Sequence, residues 1–230
     1  MPETTVTALP TCLGFIMDGN RRWATEQGLD TLAGHQAGRE TFGTIVRLVR
    51  DAGIPHAVFY AFSTENWQRS EREVSYLMEL FREWLVRMNE QVNEDKVRVR
   101  IVGRRSDFDD DMQTVMTQLE AKSAPYAGTT IWIALSYGGR AEIIEAVNQA
   151  ITIGESVTEA SFAALLWSSG MPDPDMIIRT GGEQRLSNFF PWQAVYSELY
   201  FIEKHWPALT EVDFKDILDE YARRTRRRGK

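Results

Sequence analysis

Short apolar runs alternate with longer amphipathic stretches from residue 13 almost to the C-terminus. The short runs predict strands at Leu13–Met17, Ala57–Phe62, Val97–Val102, Thr130–Leu135 and Met176–Ile178, with a sixth near Leu199–Ile202. Between them apolar residues recur at helical spacing. Phe42, Ile45, Val46 and Val49 form one stripe. Val74, Leu77, Met78, Phe81, Trp84, Leu85 and Met88 form another over more than three turns. Ser70 and Glu73 make a capping-box pattern ahead of that long helix. Val212, Ile217, Leu218 and Tyr221 predict a last helix, which runs into a basic tail, 223–230. Strand and helix alternate throughout, with no internal repeat and no linker. The pattern therefore predicts one α/β domain over 1–230, built on a central, mostly parallel sheet of about six strands flanked by helices. Residues 1–11 read as an N-terminal extension.

The 74–88 helix has two readings. It is a core helix packed on the sheet, or part of its apolar face lines a cavity for a hydrocarbon. The pattern alone does not separate them.

Charge narrows the partners. The formal net charge is −7, which argues against a general nucleic-acid binder. Anionic ligands must be held by local basic clusters. The single cysteine, Cys12, allows neither an internal disulfide nor a cysteine zinc site, as suits a reducing cytosol. Residues 1–11 lack a secretory pattern, and no stretch approaches the roughly 20 apolar residues of a membrane span. The expected location is cytoplasmic, with any membrane met from its surface. The acidic run 107–111 reads as the start of a helix, where carboxylates suit the positive dipole end.

In an open α/β sheet, ligands bind beyond the carboxyl ends of the strands. Unusual polar clusters fall there. Asp18-Gly19-Asn20-Arg21-Arg22-Trp23 follows the first strand, and Ser63-Thr64-Glu65-Asn66-Trp67-Gln68-Arg69 the second. Ser136-Tyr137-Gly138-Gly139-Arg140 follows the fourth, and Arg179-Thr180-Gly181-Gly182 leads on to Arg185, Leu186 and Ser187 after the fifth. Glycines admit close backbone approach and amides at a helix start face anions. Arginine binds phosphate oxygens through a planar fork. A carboxylate such as Asp18 suits magnesium, which pairs carboxylates with substrate phosphates. Together these clusters point to a magnesium-bound diphosphate, or two. The phosphate loop of P-loop NTPases and the dinucleotide glycine fingerprint are both absent. His56 and His205 lack ligand-like spacing and read as structural.

At these motifs the chain resembles the cis-prenyltransferase family. The matching pieces are Met17 to Ala24, Gly34-His35 with Ala37-Gly38, Tyr60 to Trp67, Tyr137 to Arg140, Pro172 to Asp175, Ile178 to Ser187, Trp192-Gln193 and Ser197 to Phe201, in family order. The resemblance implies condensation of isopentenyl diphosphate onto an allylic diphosphate, with farnesyl diphosphate as primer. The implied product is a long Z-polyprenyl diphosphate such as undecaprenyl diphosphate, growing into an apolar tunnel. Asp18 would hold Mg2+ and assist departure of the allylic diphosphate, which Gly19, Asn20, Arg21 and Arg22 grip, with His35 nearby. Asn66, supported by Ser63, would help remove the proton, and Trp67 would order the loop over the substrates. Arg179, Arg185 and Ser187 would hold the diphosphate of isopentenyl diphosphate. Trp23, Thr64, Glu65, Arg69 and Leu186 stand in the same motifs and are taken as substrate-binding. Glu198 would join the metal site from a partner subunit, and Arg227 of the R-x-G-like ending would touch the incoming diphosphate. The implied assembly is a homodimer, with peripheral membrane contact for product release. Thr31 stands where some members carry a phosphate-binding arginine, and Gln184 where some carry histidine. Three other readings stay open: a short-chain synthase, a non-catalytic partner subunit, and a phosphate-binding regulator.

Overall fold

The computed structural model of the protein describes residues 9–225. Six strands are present among them: β1 (Cys12–Ile16), β2 (His56–Ser63), β3 (Val97–Val102), β4 (Thr129–Tyr137), β5 (Met176–Arg179) and β6 (Glu198–Phe201). They form one sheet in the order β3-β4-β2-β1-β5-β6, and every neighbouring pair is parallel. The helices are α1 (Asn20–Glu26), α2 (Thr31–Asp51), α3 (Glu71–Asp95), α4 (Asp110–Ser123), α5 (Gly139–Ile153), α6 (Glu159–Ala163) and α7 (Glu211–Arg223). All six predicted strands exist within about two residues of their expected bounds, and the predicted helical stripes lie inside longer helices, 42–49 within α2 and 74–88 within α3.

The two-residue period of the strands builds two cores. Leu13 and Phe15 of β1 join Ala57 and Phe59 of β2 on one face, under α2, α3, α4 and α7. Cys12 and Ile16 join Val58 and Tyr60 on the other, which Phe189 and Phe190 cover. With both faces buried, the strands read as continuous apolar runs, as all-parallel sheets require.

The order of the strands locates the site. From β1 the chain crosses by α1 and α2 to β2 on one side, and from β5 it passes to β6 on the other. Adjacent β1 and β5 thus send their connections in opposite directions. The crevice beyond their carboxyl ends is the switch point where ligands bind in such sheets.

Helix α3 packs on the core and also lines a cavity, on different parts of its face. Leu85 and Val92 are core residues. Leu77, Leu80, Phe81 and Trp84 also line an apolar cavity of about 70 Å³ between α3 and α2, with Phe42 opposite. The capping expectation is half realised. Ser70 Oγ accepts from the Glu73 amide at 3.4 Å, while the Glu73 carboxylate turns to His35 and Arg69. The acidic run opens α4 as expected, with Asp109 as the N-cap accepting from the Met112 amide at 2.8 Å.

The start of α1 is clamped against α2 at Gly38. The Gly38 carbonyl accepts from Trp206 Nε1 at 2.8 Å, and a side chain at this position would collide with Asn20 Oδ1 and the Trp206 ring. Gly38→Ala is expected to lower stability by about 1–3 kcal/mol, the usual cost of overpacking. Urea unfolding checks this: the midpoint falls with an unchanged slope.

Candidate active site

β1 ends at Ile16, and the chain turns at once. The Asp18 amide donates to the Ile16 carbonyl at 3.0 Å and to Thr180 Oγ1 at 3.1 Å. Thr180 Oγ1 donates to the Asp18 carbonyl at 2.7 Å, so the loops after β1 and β5 are sewn together. Gly19 adopts φ +99°, a left-handed conformation that any side chain would strain. His205 packs directly beneath it and pairs with Glu26 at 2.9 Å. His205 is thus a structural histidine, and so is His56, whose Nδ1 accepts from Trp132 Nε1 at 3.1 Å.

The centre of the site is an ion pair. Asp18 Oδ2 accepts from Arg179 Nη2 at 2.7 Å. Asp18 Oδ1 accepts from the Gly19 amide at 2.6 Å, with Arg22 Nη2 3.4 Å away. Arg179 is buried, and its Nη1 donates to the Arg185 carbonyl at 2.6 Å and to Ser187 Oγ at 2.7 Å. Burial pushes the Asp18 carboxyl up, but the Arg179 hydrogen bond and charge, the Gly19 amide and Arg22 outweigh it, and the net displacement is below the usual range.

A second cluster joins the mouths of α1, α2 and α3. Glu73 accepts from Arg69 Nη1 at 2.9 Å, lies 3.3 Å from His35 Nε2 and 3.7 Å from Arg21 Nη1. Burial and the Arg69 charge lower the His35 value, and Glu73 only partly offsets them. Glu73, which the sequence pattern assigns to capping alone, thus holds three of the candidate site residues. Nothing in its spacing distinguishes a carboxylate that caps from one that ties two arginines and a histidine together.

The turn after β2 (Thr64–Gln68) is held by its own side chains. Asn66 Oδ1 accepts from the Ser63 amide at 3.0 Å, forming a capping box with Ser63. Trp67 Nε1 donates to Ser136 Oγ at 2.8 Å. Thr64 donates to Glu65, and Glu65 Oε1 accepts from Asn188 Nδ2 at 2.9 Å. The Asn188 bond, with those from Ser63 and Thr64, outweighs burial and holds Glu65 below its ordinary value. Asn188 completes the wall, another residue outside the sequence-based candidates.

These groups enclose two polar cavities. One, of about 520 Å³, is lined by Asp18, Gly19, Asn20, Arg21, Arg22, Thr31, His35 and Arg69. The other, of about 510 Å³, is lined by Asp18, Ser63, Glu65, Asn66, Arg69, Arg179 and Ser187 among others. Asp18 faces both. The second also reaches Ala61 and Leu77, which line the apolar cavity between α2 and α3.

Other candidates lie outside this centre. Arg185 pairs with Glu183 at the surface, and Leu186 packs on the second core. Trp23 is half-buried on α1. Glu198 begins β6, level with Met176 at the start of β5, and accepts from Arg224 Nη1 at 2.9 Å. It is therefore not beside Asp18 in the same chain. No group of three or more His, Cys, Asp or Glu among the described residues is arranged to hold a metal by itself. Arg227 and most of the 1–11 extension lie outside the described residues.

An all-parallel α/β sheet with a carboxylate–guanidinium pair at its switch point, between two cavities rich in arginine, defines a protein built to receive anionic ligands. The chain belongs to the cis-prenyltransferase family: residues 16–229 match the family model described as "Putative undecaprenyl diphosphate synthase". It is 41% identical to an isoprenyl transferase of Thermotoga maritima, over 96% of this chain and 97% of that one. It is 40% identical to one of Agrobacterium fabrum, over 100% of this chain and 96% of that one. A solved lavandulyl diphosphate synthase from Lavandula x intermedia, in complex with dimethylallyl diphosphate, superposes with a TM-score of 0.92 at 32% identity, covering 96% of this chain and 99% of that one. A probable undecaprenyl diphosphate synthase from Campylobacter jejuni gives 0.83 at 32% identity, covering 97% and 99%. The protein is thus a prenyl-group transferase of the cis type.

The Asp18–Arg179 pair has a signed pH signature. Asp18's folded-state value is lowered, so its pairing stabilises the fold above the unfolded value of about 3.9. That contribution is lost as pH falls through the folded-state value. Asp18→Asn is expected to cost about 1–3 kcal/mol at neutral pH, the scale of a charged hydrogen bond. The difference from wild type should shrink as acid protonates Asp18. Urea unfolding of both proteins across a pH series measures it.

Proposed function

We propose that the protein condenses isopentenyl diphosphate onto an allylic diphosphate, with farnesyl diphosphate as primer, and extends it to a long-chain Z-polyprenyl diphosphate. One observation carries this reading: two polar cavities of about 520 and 510 Å³ meet at Asp18, and the second runs into an apolar cavity between α2 and α3. Two diphosphates need two cationic compartments, and a growing hydrocarbon needs an apolar wall.

In this reading the first cavity takes the allylic diphosphate. The α1 N-terminus, Arg21, Arg22 and His35 receive its charge, and Arg69 stands between the compartments. The second takes isopentenyl diphosphate against Arg179 and Ser187. Arg185 joins them by leaving Glu183, its surface partner. Asn66 assists loss of the proton by binding: the Ser63 amide holds its Oδ1, which leaves the Nδ2 donor to hold a diphosphate oxygen, and the diphosphate takes the proton. The donor set fits magnesium, which takes one or two carboxylates and fills its shell with phosphate oxygens and water. Asp18 opens to both cavities and would hold it. When bound, the ion neutralises the charge that develops on the departing diphosphate.

A homodimer belongs to the same reading. Glu198 lies three residues along the sheet from the Arg179 level, about 10 Å at strand spacing. A metal role for it thus calls for a second copy. Val195 and Tyr196, just before it, are exposed apolar side chains, suited to such a contact. No helix of the described residues is long and apolar enough to cross a membrane. Release of the product at a membrane surface from the cytoplasmic side completes the proposal.

A short-chain product is the second reading, favoured by the apolar cavity. Its volume of about 70 Å³ is far below the roughly 300–1,000 Å³ of common ligand pockets. It is bounded by the perpendicular rings of Phe42 and Trp84, 4.5 Å apart. A long product requires that wall to part.

The decisive assay is release of diphosphate from farnesyl and isopentenyl diphosphates with magnesium, followed by chromatography of the extended product. No release with any allylic primer would overturn the proposal. Asp18→Asn is expected to lower turnover by about 10²–10³. Ala61 lines both the second polar cavity and the apolar one. Ala61→Leu is therefore expected to shorten the product, because packed interiors do not absorb added methylenes freely. An active variant with an unchanged product distribution would place the growing chain elsewhere.

A further inference from the structure

Ser136 breaks the rules of the strand that contains it. It lies in β4 yet has φ +45°, a conformation that β-strands do not use and that non-glycine residues adopt only when surrounding contacts impose it. It is fully buried. Its Oγ accepts from Trp67 Nε1 at 2.8 Å and also bonds Asp107 Oδ2. An indole N–H only donates. The hydroxyl therefore accepts from Trp67 and has its proton left for Asp107. The direction of the chain is fixed: Trp67 to Ser136 to the Asp107 carboxylate.

The relay joins three segments that are distant in sequence. Trp67 lies on the turn after β2, Ser136 at the end of β4, and Asp107 ends the short helical turn Arg105–Asp107. The indole ring is wedged between Phe62 and Phe108, with centroids 5.0 and 5.7 Å away. Its neighbour Asn66 faces the second polar cavity. Rotating the indole would swing the turn that carries Asn66.

We infer that Asp107, acting through Ser136, is a positioning residue for the prenyl-transfer reaction: it locks the Trp67 indole and thereby aims the Asn66 amide into the cavity. Asp107 belongs to the acidic run whose Asp109 caps α4. The inference rests on the proposed function for Asn66's role in the reaction, and on geometry alone for the relay. Buried polar groups hold a side chain in one orientation only when every member is satisfied. Removing the terminal acceptor leaves the Ser136 hydroxyl free to turn and the indole loosely held.

The test is a double-mutant cycle with an NMR readout. The Trp67 indole ¹H–¹⁵N signal is assigned by its absence in Trp67→Phe. Asp107→Ala is expected to shift or broaden that signal and to lower kcat about tenfold or more, with a smaller change in KM for isopentenyl diphosphate. Asp107→Asn, which keeps an acceptor oxygen, should restore most of both. In the Trp67→Phe background Asp107→Ala should have no further effect, since the relay is already cut. An unmoved indole signal in Asp107→Ala, or an equal kcat loss in both backgrounds, overturns the inference. Should Asp107→Ala fail to fold, Ser136→Ala is expected to give the same indole shift and kcat loss, and an unmoved signal there overturns it equally. A wild-type protein that releases no diphosphate would refute the proposed function instead, while the indole signal would still decide whether the relay exists.

Discussion

The pairing of Asp18 with Arg179 is the constraint around which the site is organised. Arg179 is a cation inside the protein, at the end of a strand with apolar neighbours. Such a charge is tolerated only if it is paired and hydrogen-bonded. Asp18 supplies the charge, and the Arg185 carbonyl and Ser187 hydroxyl supply the bonds. Meeting that demand brings the loop after β1 to the loop after β5 at the one place where connections from adjacent strands diverge. The polar cavities are what remains on either side of the pair. The carboxylate that neutralises Arg179 is thereby held ionised and facing both cavities.

Backbone irregularity collects around this centre. Ser136, Ser187, Asn188 and Phe190 all have φ between +45° and +66°. Each such residue costs on the order of 1–3 kcal/mol unless its surroundings compensate. The compensation is visible in part. Ser187 is held by Arg179, Asn188 by Glu65 and by the amide of Arg140. Phe190 is fully buried in the second core. Of these, Ser187 and Asn188 line the second cavity, so rigid strands and aromatic packing support irregular backbone at the cavity wall. Helix α3 joins the two parts: its first turn supplies Glu73 to the cationic cluster, and its following turns supply the apolar wall.

Much of this was legible in the sequence. Strand runs and helical stripes are local patterns of burial, and all six strands appear where the pattern predicts. The polar clusters after the first, second and fifth strands converge because a parallel sheet brings its carboxyl ends to one edge. Glu73 and Asp107 were misfiled for a common reason. Each sits in a segment with a sufficient local explanation, a helix start, and a helix start consumes carboxylates without revealing where their second oxygen goes. Glu198 and Arg185 illustrate the converse. Their motif positions suggest the site, yet in the single chain Glu198 meets Arg224 and Arg185 meets Glu183, because a charge outside the central pair takes the partner that its own loop or a neighbouring segment offers.

The sequence by itself determined the α/β class, the parallel sheet, the family and the set of polar loops that gather beyond the strands' carboxyl ends, since these depend on periodicity and on motifs contiguous in the chain. Only the tertiary structure decided that Asp18 neutralises Arg179, that Glu73 joins Arg21, His35 and Arg69, and that Ser136 links Trp67 to Asp107. Partners so distant in sequence are chosen by strand order and by the need to satisfy buried polar groups, and neither leaves a local trace in the chain.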